Sequence, residues 1–282
     1  MKGFDDFQFD PEKLEAECLA LNQLLNKAKG IELSEKYDLA PVVTASKNLL
    51  ATMAMTYGGV AKPNLWASEL WVHDKLRCDY AYGDSRTRRY CFIEIEDARE
   101  ASVFIQKRFE KSGTGQPTNY SEWAPRFDHG TSQLLDWIRL IQDHHQTDDF
   151  IDQFGEHNGF QATFILIIGR DGFLSPSQKK RLAWRSKNVI TSGYKVQAFT
   201  FDELLDEGHY QLGLQKTENP YDPGSEAAEN LQAYKDVAAM LGIAPNDLKK
   251  ITSEWVASKN SALDAGGLAE RIKVVSGKPD SS

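Results

Sequence analysis

Four carboxylates in one short stretch of the chain are spaced to act together. Asp79 sits in Leu76-Arg77-Cys78-Asp79-Tyr80, and Glu94 and Glu96 in Tyr90-Cys91-Phe92-Ile93-Glu94-Ile95-Glu96. Glu69 sits in Trp66-Ala67-Ser68-Glu69-Leu70-Trp71-Val72. Side chains alternate faces along a strand. With Leu70/Val72, Leu76/Cys78/Tyr80 and Cys91/Ile93/Ile95 on a core face, Glu69, Asp79, Glu94 and Glu96 are expected together on the other. Carboxylates gathered in this way repel one another and raise each other's pKa. A hard divalent cation, Mg²⁺ or Mn²⁺, relieves that conflict through oxygen ligands. Asp79 and Glu94 would each give one oxygen and the Ile95 carbonyl a third. Such a cation polarises a phosphoryl oxygen and lowers the pKa of bound water, which suits phosphodiester hydrolysis. A one-residue slip of the hairpin would carry Asp79 to the opposite face. The competing reading of the same acids is the wetted side of a half-exposed sheet.

The elements that must position these groups follow from periodicity. Leu14, Cys18, Leu21, Leu24 and Leu25 give helical spacing over Pro11 to Lys29, and a second helix is expected over Thr44 to Tyr57. Three strands follow between Leu65 and Asp97, the last two joined by a hairpin turn at Gly83 to Thr87. Lys111 to Trp123 reads as a polar loop. A helix over Arg126 to His145 carries Phe127, Leu134, Leu135, Ile138 and Ile141 on its apolar stripe. Gln133 lies off that stripe, either orienting water or phosphate or standing as an ordinary exposed glutamine. The run Phe164 to Ile168 is a strand buried on both faces. Ser175-Pro176 opens a basic helix, followed by a strand over Val196 to Thr200 and a short helix over Phe201 to Leu205. The order strand-strand-strand-helix-strand-helix-strand gives a mixed α/β core. The expected organisation is a helical region over 1–60, the α/β domain over 61–218, a helical region over 219–276 and a disordered tail over 277–282. The flanking helices fit either a cap on the core or a homo-oligomer interface.

Composition narrows the class. The chain has 282 residues, 41% of them hydrophobic, and a formal net charge of -8. No apolar stretch approaches a membrane span, and no signal peptide is read, so a cytoplasmic protein without a membrane partner is expected. Cys18, Cys78 and Cys91 lack metal-type spacing and read as small core residues. Acidic balance argues against a constitutive nucleic-acid coat protein. It leaves room for a local basic surface, for which Lys179, Lys180, Arg181, Arg185 and Lys187 are the candidates; such a run is more often a solvated face. No phosphate-binding loop, dinucleotide fingerprint or nucleophile elbow is present.

The run Arg77-Cys78-Asp79-Tyr80, followed by Phe92-Ile93-Glu94-Ile95-Glu96-Asp97, resembles the active-site hairpin of the Shedu nuclease domain, of the PD-(D/E)xK superfamily. His129-Gly130-Thr131-Ser132-Gln133-Leu134-Leu135-Asp136-Trp137 resembles that family's glutamine-bearing helix. Ile165 to Arg170, followed by Val196 to Leu205, resembles its closing strands and helix. The resemblance covers about Leu65 to Glu207. It implies a restriction-endonuclease-like fold and a bacterial anti-phage protein that cleaves DNA with a divalent metal, often as an oligomer. On that basis Asp79 and Glu94 would bind metal and Gln133 would be the active-site glutamine. The superfamily's lysine position holds Glu96, which could act as a base or a further ligand. Lys75 or Arg77 would then supply the positive charge. The alternative in another class is a catalytically inactive nuclease fold serving as a nucleic-acid sensor or scaffold.

Overall fold

The computed structural model describes residues 1–27, 32–72, 75–109 and 118–218. Its strands are β1 (Asp5–Asp6), β2 (Leu65–Val72), β3 (Leu76–Asp84), β4 (Arg89–Ile95), β5 (Phe104–Phe109), β6 (Thr118–Trp123), β7 (Gln161–Ile167), β8 (Ile190–Thr191) and β9 (Tyr194–Phe199). Its helices are α1 (Pro11–Lys27), α2 (Ala40–Ala45), α3 (Lys47–Thr56), α4 (Pro125–His144), α5 (Asp148–Phe154), α6 (Pro176–Asn188) and α7 (Phe201–Glu218). A π-helical turn spans Glu35–Leu39. The chain divides into a unit over Met1–Leu212, which holds every one of these strands, and a second over Gly213–Ser282. The helical region expected over 219–276, and the tail beyond it, lie outside the described residues.

Seven strands form one mixed sheet in the order β1-β2-β3-β4-β7-β9-β8. β2, β3 and β4 run antiparallel, while β4, β7 and β9 run parallel. Both faces are covered, as parallel strands require. On one face Cys91, Ile93, Ile95, Ile165 and Ile167 pack with Leu14 and Leu21 of α1, Leu49 and Met53 of α3, and Phe201 of α7. On the other, Phe92, Phe164 and Leu166 pack with Phe127, Leu134 and Trp137 of α4, Phe150 of α5 and Leu182 of α6. The mixed α/β order expected from the sequence is therefore present, and the N-terminal helices share a core with the sheet. All three cysteines are buried and unbridged. Among the described residues no helix is long and apolar enough to cross a membrane.

Three expectations need correction. Leu70, Val72 and Cys78 do not share a face with Cys91, Ile93 and Ile95; they pack on the α4 side. Ala67 and Leu70 lie on that same side although they are three residues apart, as do Cys78 and Ala81. The alternation changes phase at Glu69, whose φ of 51° lies in the left-handed region, between the pairs Ser68↔Tyr80 and Leu70↔Cys78. Second, the stretch expected as a polar loop contains β6, which pairs with β5 as a two-stranded ribbon, while 110–117 lies outside the described residues. Third, Leu135 is exposed, and Trp137 takes its place on the buried stripe of α4.

Candidate active site

The strand ladder between β3 and β4 stops at the pair Tyr80↔Ile93. Beyond it, the Ile95 N–H donates to Asp79 Oδ2 at 2.9 Å, so a carboxylate takes the place of a backbone acceptor. This draws Asp79 against Glu94, and the two carboxyl groups share a hydrogen bond. Glu94 points toward the α4 side because Ile93 and Ile95 point away from it. It is 5% exposed and Glu96 is 2% exposed. Helix α4 presses on Glu96 through Gly130, where an added Cβ would meet Leu166 Cδ1 at 2.7 Å and Glu96 Cγ at 3.1 Å. Gly130 is thus a close-approach glycine. Gln133 follows one turn later on the same helix.

Burial dominates the electrostatics. Desolvation, followed by stabilising hydrogen bonding from Ile95 and repulsion from Glu35, leaves the Asp79 carboxyl pushed up to about 6. Desolvation and then the neighbouring Asp79 and Glu96 charges push Glu94 up to about 10. Glu96 is pushed up to about 8, chiefly by burial, with the Arg126 guanidinium opposing. At neutral pH the Asp79–Glu94 pair therefore holds a shared proton. Among the described residues three buried acceptors make no hydrogen bond, Glu94 Oε2, Gln133 Oε1 and Glu96 Oε2, and the last of these faces a guanidinium as an ion pair.

Two residues join the site that sequence reading did not assign to it. Arg126, in the first turn of α4, forms an ion pair through Nε with Glu96 Oε2 and lies 3.7 Å from Asp97 Oδ2. Its Nη2 donates to Glu35 Oε2 at 2.7 Å. Glu35 reaches the site because Leu33 pairs with Ala98 as an isolated bridge and the Glu35 N–H donates to Asp97 Oδ1 at 2.8 Å. Arg126 was visible only as a helix-start residue, and nothing in local spacing ties Glu35 to Asp97 across 62 positions.

The remaining candidates are dispersed. Glu69 is solvated and pairs with Arg77 at 3.1 Å, so it leaves the carboxylate group in which alternation placed it. Arg77 still lowers the Asp79 pKa by its charge. Lys75 Nζ lies 3.2 Å from His144 Nε2 at the far end of α4. In the basic helix, Lys179 pairs with Asp171 at 2.7 Å. Arg181 lies over Phe104 and Trp123, and Arg185 over Trp123 and Phe127. Those three rings stack in series at centroid distances of 4.4 and 4.5 Å. Lys180 and Lys187 are exposed, as is Trp184 at 67%.

The donor set suits a hard cation better than it suits protons alone. Once their shared proton is released, the two adjacent carboxyls, including the orphaned Glu94 Oε2, and the orphaned Gln133 amide oxygen are all acceptors of the kind a hard cation takes. Among the described residues no group of three or more His, Cys, Asp or Glu side chains has a metal-holding arrangement. The set here is two carboxylates with neutral oxygens.

No curated protein matches the chain. The family model described as "Shedu protein SduA, C-terminal" matches residues 20–205, from the middle of α1 to the first turns of α7. That span includes the β3–β4 carboxyls, Arg126 and Gln133. The chain belongs to the Shedu SduA C-terminal family.

Proposed function

We propose that this protein is a divalent-metal-dependent DNA endonuclease acting in anti-phage defence. Family membership suggests the defence role. The observation that carries the catalytic reading is the buried Asp79–Glu94 carboxyl pair, with Glu94 Oε2 and Gln133 Oε1 left without donors. The reading includes a restriction-endonuclease-like core of the PD-(D/E)xK type. Asp79 and Glu94 would hold Mg²⁺ or Mn²⁺, with the Ile95 carbonyl as a further oxygen. The ion supplies electrostatic stabilisation of a phosphoryl oxygen and acidifies water.

The chain's own groups do the rest. Burial on the sheet face keeps bulk water from screening the Asp79 and Glu94 charges. Release of the proton they share leaves both carboxyls as oxygen ligands. Gln133 Oε1, buried on α4 without a donor among the described residues, can accept a hydrogen bond from water and orient it. Glu96 stands where the superfamily has a lysine, and Arg126 places a guanidinium against it. The local positive charge at that position therefore comes from α4, in preference to Lys75 or Arg77. The exposed faces of Lys180, Trp184 and Lys187 on α6 offer two ammonium groups and a stacking ring for a DNA strand.

One observation favours a second reading. Glu96 is engaged by Arg126, so the position of the usual catalytic lysine holds a paired acid. A nuclease fold that binds nucleic acid without cutting it would tolerate this arrangement. Incubation with plasmid and linear DNA, in Mg²⁺, Mn²⁺ or EDTA, separates the two readings. Cleavage that requires metal and is lost in Glu94→Ala supports the enzyme. DNA binding without cleavage in every metal supports the sensor or scaffold.

A further inference from the structure

At the opposite end of the sheet a cavity of about 360 Å³ opens where the three parallel strands begin. Its polar lining comes from adjacent strands in register. Arg89 opens β4 beside Gln161 of β7, and Thr163 of β7 lies beside Lys195 of β9. Alternation puts all four on one face, since Cys91, Ile165 and Ile167 continue the same rows into the core. Arg89 Nη1 reaches across to the Gly59 carbonyl at 3.4 Å. Gly59 and Gly193 complete the rim, both at positive φ, and an added Cβ at either would meet nothing within 4 Å. Their backbone is open to the cavity.

The charge of this site is its informative property. In a chain of net charge -8, two cations line one cavity, and among the described residues no carboxylate does. Neither Arg89 nor Lys195 has an ion-pair partner among the described residues. A hydroxyl and a primary amide beside them add neutral hydrogen-bonding groups. The volume falls in the range of small-molecule sites, about 300–1,000 Å³, and is more than a single inorganic ion fills. Guanidinium and ammonium groups with open backbone suit phosphate oxygens. Five residue steps along β4 separate Arg89 from Glu94, about 17 Å at the usual rise, so this cavity is separate from the carboxyl site.

We propose that this cavity binds a small phosphorylated ligand of nucleotide size, through Arg89, Lys195 and the Thr163 hydroxyl. It gives the protein a ligand site at the end of the sheet away from the carboxyls. The proposal stands independently of nuclease activity.

The test is calorimetric titration of the full chain with pyrophosphate and with ATP. EDTA is present so that no cation bridges either probe to the carboxyls, and 150 mM salt suppresses loose charge attraction. Saturable binding of at least one probe is expected, weakened tenfold or more by Lys195→Glu. Lys195 is exposed, so the variant keeps the wild-type melting temperature without ligand, and a thermal melt checks this. Arg89→Gln is the second variant and weakens binding in the same direction. Absence of saturable binding for both probes, or binding that survives both substitutions in folded protein, overturns the proposal.

Discussion

The carboxyls of β3 and β4 and the basic residues of helix α6 both stand out in the sequence as charged candidates for binding. Folding treats them in opposite ways. Lys179, Arg181 and Arg185 find partners inside the chain, one on Asp171 and two on the Phe104–Trp123–Phe127 stack. Asp79 and Glu94 are buried against each other, and among the described residues Glu94 Oε2 has no donor. Isolated buried charge is costly, and beyond the Ile95 N–H on Asp79 the chain relieves it here by holding protons. The lesson is that a run of charge marks a binding site when the fold leaves it unsatisfied. Where the fold satisfies it, the same run is structure. By that criterion α6 contributes mainly Lys180, Trp184 and Lys187 to any contact with a ligand.

Substitutions sharpen this contrast, the largest effect first. Glu94→Ala should reduce metal-dependent DNA cleavage by about 10³-fold, the scale for losing a charged group at a reacting centre. Plasmid nicking measures it, and unchanged near-ultraviolet circular dichroism shows that the fold persists. On the structural side, Trp123→Ala removes the middle ring of the stack and should cost about 3 kcal/mol in urea unfolding. A cost near zero would mean that the arginines of α6 are not held by the ribbon. Gly130→Ala forces α4 away from Leu166 and Glu96 and should cost about 2 kcal/mol, with cleavage falling as well.

The pH dependence of stability follows from the raised carboxyl pKa values. Asp79, Glu94 and Glu96 bind protons more tightly folded than unfolded. The folded chain therefore holds protons that the unfolded chain releases, and metal-free stability falls as pH rises above the ordinary carboxylate range. The loss runs through about pH 6 for Asp79 and about pH 8 for Glu96. Melting temperatures of metal-free protein should accordingly decline from pH 5 to pH 8, and Glu94→Gln should flatten the decline. Manganese should offset it most at pH 8, because a cation replaces the protons. The smallest effect belongs to the outer face of α6. Trp184→Ala with Lys180→Glu should weaken DNA binding by about tenfold and reduce its salt dependence, with little change in stability.

Sequence reading reached the local part of this arrangement and missed the part that depends on distant chain. In β4, apolar alternation placed Ile93 and Ile95 opposite Glu94, and the fold agrees. The hairpin brings Asp79 to Glu94 as expected, although through a side chain that replaces a ladder bond. Glu69 could not be placed correctly because its left-handed backbone resets the alternation, and no residue type announces such a reset. The β5–β6 ribbon has Gln106, Lys107, Arg108 and Asn119 along it, so it lacks an apolar period; its signal was the pair of rings at Phe104 and Trp123. Arg126 and Glu35 meet only because the Leu33–Ala98 bridge carries the π-helical turn onto the end of β4.

The central claim is that the Asp79–Glu94 face is a cation site. Calorimetric titration of metal-free protein with Mn²⁺ at pH 8, beside Glu94→Gln, tests it most directly. One saturable site in the wild type, absent from the folded variant, is the predicted result. Equal binding by both proteins, or no binding by the wild type, would contradict the assignment.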